Sequence, residues 1–453
     1  MTASTLGRQP DPLLSSPILP TVLRFALPNM LAMLAAALAA IAETAYVGRL
    51  GTASLAGMAL VFPMVMLQNM LSAGAMGGGV SSAVSRALGA GHPERANALA
   101  VHALWIGVSA GLIYMVLMLT LAPQIFVLLG GQGAALEQAV AYARVGFLGS
   151  VFLWVVNTLS SVIRGTGNMR VPSATLLLVA LLQVLVSGAL GLGWGPFEQE
   201  GMAGIAAGQV VANGLGAAYL LVYLRSGRAR VRLQLAWRHT PLQWAMARDI
   251  LRVGALACLS PLQTVLTILI LTRLVSHFGT DALAGYGIGA RLEFLLVPIA
   301  FAVGVASVPL VGMAIGAGQV ARARQAAWTA AALAAVLLGG LGLVVALMPE
   351  VWTLLFTHDP AVVASAALYF HWAGPAYGFF GLGLSLYFSS LGAGKALGPV
   401  LAGTVRLLLV AVGGLLLAWA QTPPWTIFAL VAVGMVAYGL AVVLAIRWTA
   451  WGE

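Results

Sequence analysis

The sequence predicts an all-α integral membrane protein with twelve transmembrane helices in two parallel six-helix repeats. Its composition is the first reason: 61% of the 453 residues are hydrophobic and 8% are charged, with a mean hydropathy of +0.99. Soluble domains carry about 25% charged residues, so this chain is adapted to lipid. The second reason is a series of long apolar runs, and the third is an internal repeat.

Apolar runs long enough to cross a bilayer occur twelve times. A helical span needs about 20 residues, and these runs are continuous, whereas barrel strands alternate apolar and polar residues. The first half is expected to hold spans at residues 22–47, 55–85, 96–121, 138–163, 172–194 and 201–224. The second half is expected to hold spans at residues 249–277, 282–313, 325–348, 362–391, 398–419 and 424–448.

The basic residues between the runs predict the orientation. A cytoplasmic N-terminus places 17 of the 22 lysines and arginines on the cytoplasmic side. Six of the twelve acids fall on the opposite side: Glu137, Glu198, Glu200, Asp281, Glu350 and Asp359. By the positive-inside rule, both termini are cytoplasmic. The net charge of +10 then serves topology and contact with anionic lipids, and we expect no nucleic-acid partner.

Four sequence islands recur in the same order in both halves. RFALP at 24–28 returns as RVGAL at 252–256, and GTASLAG at 51–57 returns as GTDALAG at 279–285, both 228 residues later. Two further pairs are 227 residues apart: GAGHPERA at 89–96 with GAGQVARA at 316–323, and RGTGNMRVP at 164–172 with LGAGKALGP at 391–399. A constant spacing over four islands indicates an internal repeat.

The repeat divides the chain into two six-span lobes, 1–224 and 249–453, joined by a basic cytoplasmic linker at 225–248. Six is an even number, so each repeat returns to its starting side and the two lobes are parallel. Doubled architectures of this kind are typical of secondary transporters, which bind their substrates near the bilayer midplane between the repeats.

Motifs for enzymatic chemistry are missing from the sequence. The nearest approach to a phosphate-binding loop, GAGKALG at 392–398, places Ala396 where a serine or threonine is needed. The six histidines show no metal-ligand spacing, and the single cysteine, Cys258, excludes an intrachain disulfide. We therefore expect no enzyme, no metal site and no organic cofactor.

Two acidic residues stand out because they fall inside predicted spans. Glu43 lies in the first span and Glu293 in the eighth, one in each half. A carboxyl group favours its neutral form in an apolar setting and its ionised form beside a cation, so either residue can take up and release a coupling ion. Glu293 has an alternative role, because Arg406 in the eleventh span could form a structural ion pair with it.

Polar residues on other spans are candidates for substrate binding. They are Asn157, Gln183, Ser187, Gln209, Asn213, Gln263 and Arg291. Gln183 and Ser187 are four residues apart and share a helix face. The alternative role for each is to join helices by hydrogen bonds, which is common in membrane bundles. Pro28 and Pro261 each remove a backbone donor from a span and are candidate hinges.

The runs ETAYVGRLGTASLAG and GTDALAGYGIGARLE and the loops RALGAGHPERA and RGTGNMRVP resemble the multidrug and toxic compound extrusion (MATE) family, in its bacterial branch. The resemblance extends from about Leu23 to Trp448. It implies a V-shaped pair of six-helix lobes that alternates between the two membrane faces. The implied activity is export of organic cations or other drugs in exchange for H⁺ or Na⁺, in the bacterial inner membrane.

The resemblance also suggests roles for particular residues. Glu43 stands where the family usually has an aspartate implicated in cation coupling and in bending of the first helix, and Asn157 matches a common asparagine of the fourth. The fifth helix of the family often carries an asparagine and, four residues later, an aspartate; Gln183 and Ser187 occupy these places here. Some members have an acid in the seventh helix, which is absent around Gln263. Glu293 is then the candidate acid of the C-terminal lobe.

A related architecture gives the alternative function, a flippase for lipid-linked saccharide precursors. A cavity that binds pyrophosphate should be ringed by arginines, whereas a carboxylate would repel that ligand. Two or fewer basic side chains in the cavity would favour the antiporter, and four or more the flippase. For either function we expect a monomer in contact with membrane lipids.

Overall fold

A computed structural model describes residues 12–233 and 242–452, and these residues are almost entirely α-helical. The long helices of the first half are α1 (Ile18–Arg49), α2 (Thr52–Gly89), α3 (Pro93–Leu128), α4 (Gly133–Gly146 and Ser150–Gly165), α5 (Arg170–Leu192) and α6 (Gly201–Arg225). Those of the second half are α7 (Trp244–Ser276), α8 (Thr280–Gly316), α9 (Val320–Leu347), α10 (Pro360–Gly392), α11 (Leu397–Trp419) and α12 (Trp425–Trp448). One short helix, Pro12–Ser15, precedes α1, and another, Glu350–Thr353, lies between α9 and α10.

Each long helix occupies one predicted span, which confirms the all-α membrane fold. Within the described residues, ten helices are long and apolar enough to cross a membrane, and the two segments of α4, bent by 53°, make an eleventh together. The remaining helix, α10, is 33 residues long and is not among these eleven. Glycine, serine and tyrosine are interspersed along it, and its second half is buried within the protein. A helix packed against other helices needs less lipid-compatible surface.

The internal repeat is visible in the backbone of the loops. Gly51 and Gly279, which precede α2 and α8, have φ values of 113° and 97°. Gly167 and Gly394, which precede α5 and α11, have φ values of 83° and 77°. Glycine adopts this left-handed region without steric cost. The equivalent loops of the two halves therefore turn in the same way at the spacing that the sequence repeat predicts.

Two helices contain irregular turns. The middle of α2, Met70–Met76, is a π-helix, a rare form that often marks functional positions. Helix α7 is interrupted at Cys258, between Trp244–Ala257 and Leu259–Ser276, three residues before the predicted hinge Pro261. Helix α1 runs without interruption through Pro28, the other predicted hinge.

The two lobes pack tightly on the predicted cytoplasmic side. A Cβ atom added at Gly89 of α2 would lie 2.1 Å from the carbonyl oxygen of Met313 in α8. One added at Gly312 of α8 would lie 1.9 Å from the Ser85 Oγ of α2. Only glycine permits such close backbone contact, so these positions hold the two lobes together at this end.

The first turns of α7 also lie against the N-terminal lobe. Helix α7 begins at Trp244, before the predicted span and inside the range predicted as linker. Ile250 and Val253 in its first turns are buried. The two ends of the linker dock on α3: the Arg232 backbone N–H donates to Asn97 (2.8 Å) and that of Gln243 donates to His102 Nε2 (2.8 Å). Residues 234–241 of the linker, and the arginines Arg8 and Arg238, lie outside the described residues.

Candidate functional site

Glu43 lies in a polar cluster between α1, α5 and α6. Its side chain is buried, at 4% exposure, and its Oε1 accepts a hydrogen bond from Ser187 Oγ at 3.0 Å. The side chain of Gln183, one turn earlier on α5, also interacts with Glu43. The structure thus brings together three residues that the sequence singled out.

Ser187 has a second possible acceptor. Its Oγ lies 2.9 Å from the carbonyl oxygen of Ile205 on α6. A hydroxyl group has one proton to donate but can also accept. When Glu43 is ionised, the Ser187 hydroxyl can donate to the carboxylate. When Glu43 is protonated, it can donate to Ser187 Oγ, which then donates to Ile205. The arrangement therefore satisfies both protonation states of Glu43.

Tyr142, Gln209 and Asn213 continue this polar cluster. The Tyr142 hydroxyl donates to Gln209 Oε1 (3.0 Å), and Asn213 Nδ2 donates to the Gln209 carbonyl oxygen (2.8 Å). Tyr142 also lies close enough to Glu43 for electrostatic interaction. The cavity lined by these three residues and Gln68 has a volume of about 10 Å³, which is the space of a single water. This cavity, which Glu43 does not line, has no room for a drug.

Asn157 belongs to a different contact. Its Nδ2 donates to Ser72 Oγ (2.8 Å), and Ser72 donates to the Gln68 carbonyl oxygen (2.8 Å). Ser72 lies in the π-helical turn of α2. Asn157 therefore ties α4 to that turn, and its predicted role in substrate binding stays a prediction.

A larger cavity of about 200 Å³ lies in the second lobe, where residues of α2 form one wall. Glu293 lines this cavity and accepts a hydrogen bond from the Tyr369 hydroxyl. Gln263 also lines it; its Nε2 donates to Thr404 Oγ1 at 2.8 Å, while its Oε1 has no partner among the described residues. The structure therefore brings two of the predicted site residues to one cavity.

The proposed ion pair of Glu293 with Arg406 does not form. Both residues line the cavity, but among the described residues the two are not in contact within 4.0 Å. Arg406 instead lies over the rings of Phe380 and Tyr438, 5.4 and 6.0 Å from their centroids. Glu293 and Arg406 still interact electrostatically, although their charged atoms are more than 4.0 Å apart.

Arg291 does not line this cavity. Its side chain is exposed, and its guanidinium lies 5.1 Å from the centroid of the Phe356 ring. Positions two residues apart on a helix point to different faces, so Glu293 faces the cavity while Arg291 faces away. The structure gives no support to the prediction that Arg291 binds substrate together with the other candidates.

The sequence reasoning missed the tyrosines that surround each acid. Tyr142 lies beside Glu43, and Tyr286, Tyr369 and Tyr377 lie beside Glu293. Tyr369 and Tyr377 are eight residues apart on α10, a spacing that places them on the same broad helix face. That spacing was the available signal, but nothing in the sequence showed which helix the face would meet.

Comparison with known proteins gives consistent results. The MatE family model matches residues 28–188 and again 257–416, one match in each half. A FAD transporter of Shewanella oneidensis is 27% identical over 82% of this chain and 81% of its own length. A probable multidrug resistance protein NorM of Thermotoga maritima is 27% identical over 77% of this chain and 74% of its own. The multidrug export protein MepA of Staphylococcus aureus is 25% identical over 61% of this chain and 60% of its own.

Solved structures show the same fold. A MOP superfamily transporter from Pyrococcus furiosus superimposes with a TM-score of 0.88 at 22% identity, covering 96% of both chains. The outward-facing conformation of a multidrug resistance MATE family transporter gives the same TM-score, identity and coverage. This likeness confirms the predicted two-lobe helical architecture.

Proposed function

The chain belongs to the MatE family of membrane transporters, and from this premise we propose that it is a secondary active multidrug exporter, which expels organic cations in exchange for H⁺. Two relatives carry names that describe multidrug resistance or export, and a third is named a FAD transporter. The cavity of about 200 Å³ beside Glu293 offers a substrate site of suitable character, with mostly apolar walls and a few polar groups.

The observation that carries the proton coupling is the position of Ser187 between Glu43 and the Ile205 carbonyl oxygen. A proton that reaches Glu43 reverses its hydrogen bond with Ser187 and removes a negative charge from the contact between α1 and α5. The change allows α1 to repack and lowers the affinity for a cation. Release of the proton on the cytoplasmic side restores the carboxylate. The tight packing of the lobes on the predicted cytoplasmic side supports an outward-facing conformation of the protein in this structure.

The exchange has a simple energetic consequence. If one proton enters for each monovalent cation that leaves, no net charge crosses the membrane, so the membrane potential does no work. The pH gradient alone then drives accumulation, about tenfold per pH unit, because about 1.4 kcal/mol corresponds to a factor of ten. In this proposal the protein is a monomer of the bacterial inner membrane with both termini in the cytoplasm.

The cavity is a poor fit for the flippase alternative. Arg406 is the one basic side chain that lines it among the described residues, and Glu293 carries the opposite charge. A pyrophosphate group needs several cationic or N–H donors. Two or fewer basic residues in the cavity favour the antiporter, which is therefore the better supported function.

The test is transport of rhodamine 123, a fluorescent monovalent cation, into proteoliposomes driven by a pH gradient without sodium. The wild type and the control Glu200→Gln, whose side chain is exposed in a loop, are expected to transport the dye at similar rates. Glu43→Gln is expected to reduce the rate at least tenfold, because glutamine cannot carry a proton. Equal rates for Glu43→Gln and the wild type would rule out Glu43 as the proton carrier. If the wild type transports the dye only after sodium is added, the coupling ion is Na⁺ and not H⁺.

A further inference from the structure

A short segment in front of α1 lies where the two lobes meet on the predicted cytoplasmic side. It comprises residues 12–16, most of which form a short helix, and we call it the N-terminal strap. Its Leu13 side chain is buried in an apolar cluster with Phe25 of the first lobe and Met313 of the second. A Cβ atom added at Gly167, in the loop between α4 and α5, would lie 2.4 Å from Leu13 Cδ1. The strap is therefore packed directly on the first lobe.

Arg322, in the first turn of α9, holds the strap from the second lobe. Its Nη2 donates to the carbonyl oxygen of Leu13 at 3.0 Å and to that of Ser16. In a continuous helix these two carbonyls would accept from the residues four positions later, which here are Pro17 and Pro20. Proline has no N–H group, so both carbonyls lack this donor. Arg322 supplies the two missing hydrogen bonds from the other lobe.

The internal repeat gives Arg322 an equivalent in the first lobe. The islands at 89–96 and 316–323 align it with Arg95, near the start of α3. Arg95 Nη2 donates to Asp249 Oδ2 at 2.9 Å, and Asp249 lies in the first turns of α7. Each lobe thus uses the same arginine of its third helix to hold the chain where it enters the other lobe.

The two arginine contacts differ in their acceptors. Arg95 is half exposed and pairs with a carboxylate, and such ion pairs contribute little to stability because water and salt screen them. Arg322 is partly buried and bonds two carbonyl oxygens. Breaking its contact removes the donor from both carbonyls at once, and an unmade hydrogen bond in a partly buried place is costly. The strap contact is therefore the one whose loss we expect to matter more.

We propose that the N-terminal strap is a latch, closed by Arg322, that stabilises the closed state of the cytoplasmic side. The proposal rests on the proposed function, because alternating access requires the two lobes to separate at this end. Gly167 moves with the first lobe and Arg322 with the second. The strap continues into α1 through Pro17, so the hydrogen bonds to Arg322 are the ones that break when the lobes separate. They form again when the cytoplasmic side closes.

Double electron–electron resonance between two spin labels tests the latch. The labels are attached at Ser226→Cys and Leu397→Cys, exposed positions at the predicted cytoplasmic ends of α6 and α11, in a Cys258→Ala background. The full chain is measured in lipid nanodiscs without a gradient or a drug. Arg322→Gln is expected to increase the population at long distances at least threefold. Leu13→Ala is expected to act in the same direction, and Arg322→Lys to have a smaller effect because lysine keeps N–H donors.

Arg324→Gln is the matched control. Arg324 lies two residues further along α9 and also donates to a carbonyl oxygen, that of Thr449 at 3.0 Å, but within its own lobe. Gel filtration and thermal unfolding verify that each variant is folded. Unchanged distances in Arg322→Gln, or an equal increase in Arg324→Gln, would overturn the inference. If Arg322→Gln does not fold, unchanged distances in Leu13→Ala overturn it instead.

The distance measurement does not depend on proton coupling, so the two proposals can fail separately. Unchanged distances in Arg322→Gln, together with proton-driven transport of rhodamine 123 by the wild type, would overturn the latch alone. An increase in the long distances in Arg322→Gln, without any proton-driven transport by the wild type, would overturn the proposed function and leave the latch in place.

Discussion

The Ser187 hydroxyl affects the balance between the ionised and protonated forms of the buried Glu43 side chain. An ionised group at membrane depth costs about 2.5–3.5 kcal/mol on insertion scales. A hydrogen bond to a charged group returns about 1.5–3 kcal/mol, and the Ser187 hydroxyl supplies one at 3.0 Å. These two quantities are of similar size, so neither protonation state of Glu43 is strongly excluded. A group in this position can change its charge within a transport cycle.

Removal of the Ser187 hydroxyl tests this balance. Ser187→Ala deprives the ionised Glu43 of a donor and the protonated Glu43 of an acceptor. We expect proton-driven transport of an organic cation in proteoliposomes to fall about tenfold or more, since about 1.4 kcal/mol corresponds to a factor of ten. Ser160→Ala is the control, because Ser160 is also buried but its hydroxyl has no partner among the described residues. Wild-type transport by Ser187→Ala would show that the hydroxyl has no part in coupling.

Helix packing places Ser187 at the contact between α5 and α6. Small residues recur every four positions along α6, at Gly204, Gly208, Ala212 and Gly216. Such a stripe lets two membrane helices approach closely. A Cβ atom added at Gly208 would lie 2.2 Å from Ser187 Oγ and 2.4 Å from its backbone nitrogen. The glycine at this position therefore determines where the Ser187 hydroxyl lies relative to Glu43.

Gly208→Ala should separate α5 from α6 and lengthen the hydrogen bond from Ser187 to Glu43. We expect a loss of about 1–3 kcal/mol of stability, which is typical of overpacking, with a lower thermal unfolding midpoint and reduced proton-driven transport. Gly214→Ala on the same helix is the control, since the nearest atom to its added Cβ is 3.9 Å away. Equal unfolding midpoints and transport rates for the two variants would contradict this account of the contact.

The elements were predictable from the sequence because each depends on local composition. Continuous apolar runs identified the helices, and the spacing of Gln183 and Ser187 placed both on one face of α5. The contact of Ser187 with Glu43 joins residues 144 positions apart, and no local pattern encodes such a distance. The same limit applies to Arg406: the sequence suggested an ion pair with Glu293, but the rings of Phe380 and Tyr438 hold its guanidinium elsewhere.

At the scale of the whole molecule, a polar network joins the lobes on the predicted cytoplasmic side. Asp249, at the start of α7, accepts from Arg86 Nη2 at 2.7 Å and from Arg95 Nη2 at 2.9 Å. Arg86 also donates to Ser82, whose hydroxyl donates to the Leu391 carbonyl oxygen of α10. Alternating access requires this side of the molecule to open. The network would then break once in each transport cycle.

Asp249→Asn should favour opening of the cytoplasmic side. Arg95 is half exposed, so its pair contributes little, whereas the Arg86 side chain is only 18% exposed. If the closed state loses about 1 kcal/mol of stabilisation, the equilibrium between the closed and open cytoplasmic side shifts about fivefold.

Double electron–electron resonance spectroscopy can measure this shift as a change in the distances between two spin labels. The labels are attached at Glu94→Cys and Gln319→Cys, two exposed positions on the two lobes, in a Cys258→Ala background. We expect Asp249→Asn to increase the population at long distances, and the control Asp281→Asn, an exposed acid at the start of α8, to leave it unchanged. Identical distributions for both variants would mean that tight glycine packing between α2 and α8, and not this network, keeps the cytoplasmic side closed.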